Sequence, residues 1–244
     1  MYKIKKEDLT ALFRAIAAEQ ELYVPVKSAG KVNFGPWSED AEVDIDTLKS
    51  VKSPKDVFFP QSENLYTCER EGRKLKVEPE ALKEQRFTVF GMRACDVQGV
   101  KVLDQVFLAD PVDSFYAARR EHGTMVAIAC HEPEESCFCK VFGIDCAEPA
   151  ADVAAWFVGE ELYWKALTEK GQTLTDILSG LLADADAENE KKLSEEQAAI
   201  RAIVEKLPYS HLSLKGWDGN ATETRFDSPL WEELYKPCLA CGTC

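Results

Sequence analysis

Phe87-Thr88-Val89-Phe90 and Thr124-Met125-Val126-Ala127-Ile128-Ala129 are compact apolar runs, and between them Val97, Val100, Leu103, Val106 and Phe107 recur at helical spacing. The order is strand, helix, strand. A crossover of this length favours two parallel strands with helices packed on their faces. The reading is therefore an α/β fold, built on a central, partly parallel sheet flanked by helices. Asp96 is the expected N-cap of the crossover helix, and Asp110-Pro111 its expected stop.

This topology gathers chemistry. Cys95 lies just past the first strand, at the start of the helix, and Cys130 lies immediately past the second. Both fall at the carboxyl ends of parallel strands, the edge at which open α/β sheets bind their ligands. Cys137 and Cys139 follow in the next loop, so four thiols are expected to converge. The free amides of the helix N-terminus and neighbouring Arg93 would favour anionic sulfur at Cys95. Cys95, Cys130, Cys137 and Cys139 are the predicted ligands of a 4Fe-4S cube. Cys146 is a fifth candidate that could replace one of the four, and Cys68, inside a predicted hairpin, is read as structural. Buried cysteines serving as small core side chains are the competing reading.

Outward from this centre, Leu9, Leu12, Phe13, Ile16 and Ala17 predict an amphipathic helix over residues 6–20. Leu22–Val26 and Val32–Phe34, separated by Ala29-Gly30, predict a hairpin, as do residues 64–77 with Glu71-Gly72 at the tip. Ser53–Gln61, with two prolines, reads as a surface-crossing segment with apolar anchors. Asp152–Val158 and Leu162–Leu167 form a third hairpin pattern about Gly159-Glu160. Helices are expected from Thr173, around Leu193, Ile200, Ile203, Val204 and Leu207, and over Pro229–Leu234. The acidic run Asp184–Glu196 reads as a solvated helix face. The expected division is a cluster-binding domain over residues 1–208, a linker over 209–227, and the start of another module over 228–244.

Composition bounds the function. At 45% apolar and 30% charged, the chain is an ordinary globular protein. No stretch approaches the ~20 apolar residues of a membrane span, and the Met1–Lys6 start lacks an apolar signal core, so a cytoplasmic protein is expected. The net charge of −14 argues against nucleic-acid and anionic-membrane partners. Nine cysteines without a secretory signal point to metal or redox use rather than disulfides. No phosphate loop, GxGxxG, HExxH or Gly-x-Ser-x-Gly pattern is present, and His122, His131 and His211 are scattered. An enzyme using Cys139 as nucleophile lacks an accompanying His/acid constellation.

The chain closes on Cys238-Leu239-Ala240-Cys241-Gly242-Thr243-Cys244, three of the four thiols of the ferredoxin run C-x2-C-x2-C-x3-C-P. Cys238, Cys241 and Cys244 are read as an incomplete ligand set for a ferredoxin-type 4Fe-4S cube. The 244 residues accordingly read as the N-terminal part of a longer electron-transfer polypeptide. A zinc-stabilised scaffold or binding module is the alternative, since C-x2-C also suits zinc.

Gly91-Met92-Arg93-Ala94-Cys95-Asp96, the Asp113–Arg120 stretch with Phe115-Tyr116 and Arg119-Arg120, Cys130, and Cys137-Phe138-Cys139 resemble the anaerobic sulfite reductase A subunit and sulfhydrogenase β-subunit family. The terminal CxxCxxC resembles the beginning of that family's dicluster ferredoxin domain. The resemblance covers residues 50–146 and 228–244. It implies an electron-relay subunit carrying 4Fe-4S clusters between a flavin- and NAD(P)-binding subunit and a catalytic redox subunit, such as a hydrogenase, a sulfite reductase or a heterodisulfide-reductase-like partner. Two departures stand out: the remaining ligands of both ferredoxin cubes are absent, and Ala94 stands where proline is expected.

Overall fold

The computed structural model describes residues 1–217 and 219–240, with Thr222 described by its backbone alone. In chain order the elements are β1 (Tyr2–Lys5), α1 (Leu9–Glu19), β2 (Glu21–Ser28), β3 (Lys31–Pro36), β4 (Tyr66–Glu71), β5 (Lys74–Pro79), β6 (Phe87–Met92), α2 (Ala94–Phe107), α3 (Ser114–His122), β7 (Gly123–Ile128), β8 (Val153–Val158), β9 (Glu161–Ala166), α4 (Glu169–Ile177), β10 (Ala183–Asp184), α5 (Ala187–Val204), α6 (Ala221–Thr224) and α7 (Leu230–Leu234). Two compact units separate at Ser210 and His211.

In the first unit, eight strands pair in the order β10-β1-β9-β8-β7-β6-β2-β3. The middle of the sheet, β2, β6, β7 and β8, is parallel, and antiparallel strands extend both sides. This is the expected α/β architecture. Every residue of β6 and β7 is buried, as it must be in strands covered on both faces. Alternation then sorts their side chains. Phe90, Val126 and Ile128 join Leu12, Phe13 and Ile16 of α1 and Leu174 of α4 on one face. On the other face, Val89, Met125 and Ala127 pack with Val97 and Val100 of α2 and Tyr116 of α3. Beside these, Ala154 and Trp156 of β8 pack with Leu193, Ile200 and Val204 of α5.

The hairpin around Ala29-Gly30 forms as expected. Both residues have positive φ (50° and 72°), the backbone hand of a tight two-residue hairpin turn. The segment after Ser53 makes a single 3-10 turn, and Phe58 is its fully buried anchor, a side chain whose burial contributes about 1.5–3 kcal/mol. The hairpin about Gly159 is part of the core, through Trp156, Leu162, Tyr163 and Trp164.

Several expectations are corrected. The N-cap of α2 is Arg93, and Asp96 sits three residues inside, where its carboxylate accepts the Arg93 backbone N–H at 3.2 Å. The tip of the β4–β5 hairpin is Gly72-Arg73. That hairpin is exposed along its whole length, so Cys68 is a surface thiol and no part of the core. Helix α3 was not foreseen as an element of its own; Asp113 caps it by accepting the Tyr116 N–H at 2.9 Å.

The second unit contains α6 and α7. Trp231 donates through Nε1 to the Arg225 carbonyl at 2.6 Å, and the Arg225 guanidinium lies 4.3 Å from the Trp217 ring centroid. Among the described residues, no helix is long and apolar enough to cross a membrane.

Candidate functional site

Parallel strands need a long return connection, usually a helix. Between β6 and β7 the chain supplies α2 and α3. Between β7 and β8 it supplies residues 129–152, whose only regular piece is the 3-10 turn Cys139–Phe142. Long loops with so little secondary structure inside compact domains are usually functional. This one carries Cys130, Cys137, Cys139 and Cys146.

The loop is fastened around its rim. At its base, the Cys130 N–H donates to the Cys146 carbonyl at 3.0 Å. Trp156 of β8 donates through Nε1 to the Ala147 carbonyl at 2.7 Å. Side-chain contacts tie the loop to α5, among them a bond from Arg201 to Glu148 at 3.2 Å. Arg201 donates to the Asp145 carboxylate at 2.7–2.9 Å, and His131 Nδ1 lies 2.7 Å from Glu196. His131 is thus occupied on the surface. A strap before Ser53 holds the remaining side: Lys49 donates to Glu134 at 2.7 Å and to Ser136 at 2.6 Å. The Asp44 carboxylate turns that strap, accepting the Thr47 N–H and hydroxyl, each at 3.0 Å.

Inside this frame Cys146 interacts with Cys130 and Cys139, and Cys137 feels the charges of the same two residues. Cys130 and Cys146 are buried, while Cys137 and Cys139 are half-buried. The Cys146 thiol hydrogen-bonds both Cys130 and Cys139 and holds its own proton strongly for that reason. The two recipients become more acidic. Cys139 falls to about 6, through Cys146 first and then backbone amides, with burial opposing. Cys130 is lowered by the same Cys146 bond, against burial, with help from the Arg93 guanidinium. Cys137 is raised, chiefly by burial.

Cys95 reaches the group from α2 and interacts with the charges of Cys130 and Cys139. Its side chain keeps an exposed outer surface, yet the protein around it pushes its thiol up to about 11, by desolvation first and then by Asp96. The expected acidification of Cys95 by the helix end is therefore outweighed. Gly91 accounts for its placement. The β6–β7 register shifts between Phe90 and Met92, and Gly91 takes φ 97°, so the bulge redirects the chain into Arg93 and Cys95.

Five thiols, Cys95, Cys130, Cys137, Cys139 and Cys146, are thus drawn to the carboxyl edge of β6 and β7. The role of Cys146 as the shared hydrogen-bond donor, and the strap with Lys49, were missed by the sequence reading. Lys49 sits where its charge acts on both Cys137 and Cys95. Sulfur-only donors flanked by cations suit soft, thiophilic centres such as zinc or iron–sulfur clusters. Among the described residues, no group of three or more His, Cys, Asp or Glu side chains is drawn tightly around a single metal-ion position. At the other end, Cys238 is exposed, with its N–H on the Tyr235 carbonyl at 3.0 Å. Cys241 and Cys244 lie outside the described residues.

No family model matches the chain, and no solved structure matches it. Among curated proteins, it is 26% identical over 254 residues to sulfhydrogenase 2 subunit beta of Pyrococcus furiosus, a match covering 99% of this chain and 69% of that protein. A likeness running through almost the whole chain supports a relation to the beta subunits of sulfhydrogenases.

Proposed function

We propose that this chain is an iron–sulfur electron-transfer subunit of an oxidoreductase complex, related in role to a hydrogenase beta subunit. The observation that carries the reading is the convergence of Cys95, Cys130, Cys137, Cys139 and Cys146 at one sheet edge, beside Arg93 and Lys49. A 4Fe-4S cube held there would supply one-electron storage. Cys95, Cys130, Cys137 and Cys139 are its proposed ligands, with Cys146 the candidate to replace one of the four. Cys238, Cys241 and Cys244 are proposed to serve a second, ferredoxin-type cube.

The chain's own residues provide the rest. Each cysteine that ligates would give up its proton when the site is loaded, because thiolates are the ligating form. The rim contacts from Trp156, Arg201 and Lys49 hold the loop in shape, so that few side chains need reorganise when charge changes. Phe138 and Phe142, 55% and 58% exposed, form an edge-to-face pair at 5.8 Å on the loop's outer surface and offer apolar contact to an electron-exchange partner. The proposed partners are a flavin- and NAD(P)-binding subunit on one side and a catalytic redox subunit on the other. With a net charge of −14, nucleic acid is not among them.

Anaerobic titration of the reconstituted full chain tests this role. Dithionite or a reduced flavoprotein should bleach the cluster absorbance, whereas NADH or NADPH alone should leave it unchanged. Stoichiometric bleaching by NADH without a flavin subunit would give the chain a dehydrogenase site of its own and refute the relay reading.

A further inference from the structure

Arg93 is buried, at 9% exposure, yet its hydrogen bonds go to neutral carbonyls: Nη2 donates to Ile45 at 2.8 Å and to Thr47 at 3.3 Å, and Nη1 to Ala129 at 3.3 Å. The other arginines withdrawn from solvent behave differently. Arg119 pairs with Glu63, and Arg120 makes a two-pronged bond to Asp104 at 2.7 and 2.9 Å. Buried charges are normally paired or used at metal centres. Among the described residues, no ion pair satisfies Arg93. Arg93 lines two cavities, of about 690 Å³ and 310 Å³, the smaller of them lined also by Cys95. The carbonyl it grips at Ala129 belongs to the residue before Cys130.

We propose that Arg93 is a positioning residue for the thiol site, tying the strap at Ile45 and Thr47 to the end of β7 and holding a fixed positive charge that makes a cluster bound by these thiols easier to reduce. The inference rests on the iron–sulfur reading above. Its physics is simple: one electron arriving from a donor makes the cluster more negative, and a nearby permanent cation favours that state, while the guanidinium stays protonated throughout. In a chain as acidic as this one, Arg93 counters the surrounding field at the point where it matters.

The experiment compares wild type, Arg93→Lys and Arg93→Gln in the full chain, with Cys238, Cys241 and Cys244 changed to Ser so that the upstream site alone is read. Iron and sulfide are measured first, then the midpoint potential by dithionite titration followed by electron paramagnetic resonance. Arg93→Gln should shift the midpoint to a more negative potential, and Arg93→Lys should stay near wild type. If Arg93→Gln fails to retain iron while Arg93→Lys loads, the requirement for charge is upheld. An unchanged midpoint in Arg93→Gln, equal shifts in both variants, or loss of iron from both would overturn the proposal. A wild-type protein that takes up no iron would instead refute the cluster reading beneath it.

Discussion

Cys130 and Cys146 are joined twice: the Cys130 N–H donates to the Cys146 carbonyl at 3.0 Å, and their side chains share a thiol hydrogen bond. This clasp shuts the β7–β8 loop at its base. The intervening cysteines are thereby held over the sheet edge, where Cys95 arrives from α2.

The proton arrangement within the group has a measurable consequence in the metal-free protein. Cys139 is lowered to about 6 by the Cys146 hydrogen bond, whereas Cys95 is pushed up to about 11 by desolvation. Thiolate, not thiol, reacts with iodoacetamide. At pH 7, peptide mapping should find Cys139 alkylated before Cys95, although Cys95 is the more exposed. As pH rises through about 6, the Cys139 rate should climb and level off, while Cys95 should respond only in strongly alkaline solution. Faster labelling of Cys95 at neutral pH would contradict this ordering.

Gly91 is the hinge of the site. At φ 97° an added Cβ is strained, and it would also lie 3.1 Å from Pro25 Cδ. Gly91→Ala should cost about 1–3 kcal/mol in denaturant unfolding. An unchanged midpoint would mean that the bulge relaxes freely and does not fix Arg93 and Cys95.

Asp104 gives the fold a pH dependence. Burial favours its neutral form, but hydrogen bonds from Arg120 and Tyr116 outweigh burial and hold its carboxyl below the ordinary carboxylate range. A lowered folded-state value contributes stability that is complete above the unfolded value of about 3.9 and is lost as pH falls through the folded one. The stability gap between wild type and Asp104→Asn should be widest near neutrality and close below about pH 4. A gap independent of pH would contradict the ionic role.

The β4–β5 hairpin presents Tyr66, Cys68, Leu75 and Val77 on one face and Glu69, Glu71, Lys74 and Lys76 on the other, and none of its residues is buried. Replacing Tyr66–Pro79 by a short Gly/Ser linker should change the unfolding free energy by no more than about 0.5–1 kcal/mol. A larger loss would show that the hairpin supports the core.

The parallel centre of the sheet was legible because Phe87–Phe90 and Thr124–Ala129 are continuous apolar runs, which strands buried on both faces require. From that order alone, Cys95 and Cys130 fell on the same edge. The strap with Asp44, Thr47 and Lys49 was not legible, since it has no periodicity and is held by side-chain bonds to distant residues. Helix α3 was obscured by its polar sequence, with Arg119 and Arg120 in its last turn, although Asp113 was available as its cap. Strand β1 was hidden by alternating lysines, Lys3 and Lys5, and exists because it pairs with β9. The placement of Cys146 depends on the loop folding back to Cys130, which spacing does not reveal.

The most direct test of the account is the iron and sulfide content of the anaerobically reconstituted full chain, compared between wild type, Cys68→Ser and the double variant Cys130→Ser/Cys139→Ser. The double variant should lose about four irons and four sulfides per chain relative to wild type, the content of one cube, and Cys68→Ser should lose none. Equal iron in the double variant and wild type, or a colourless wild type that binds zinc and no sulfide, would contradict the account.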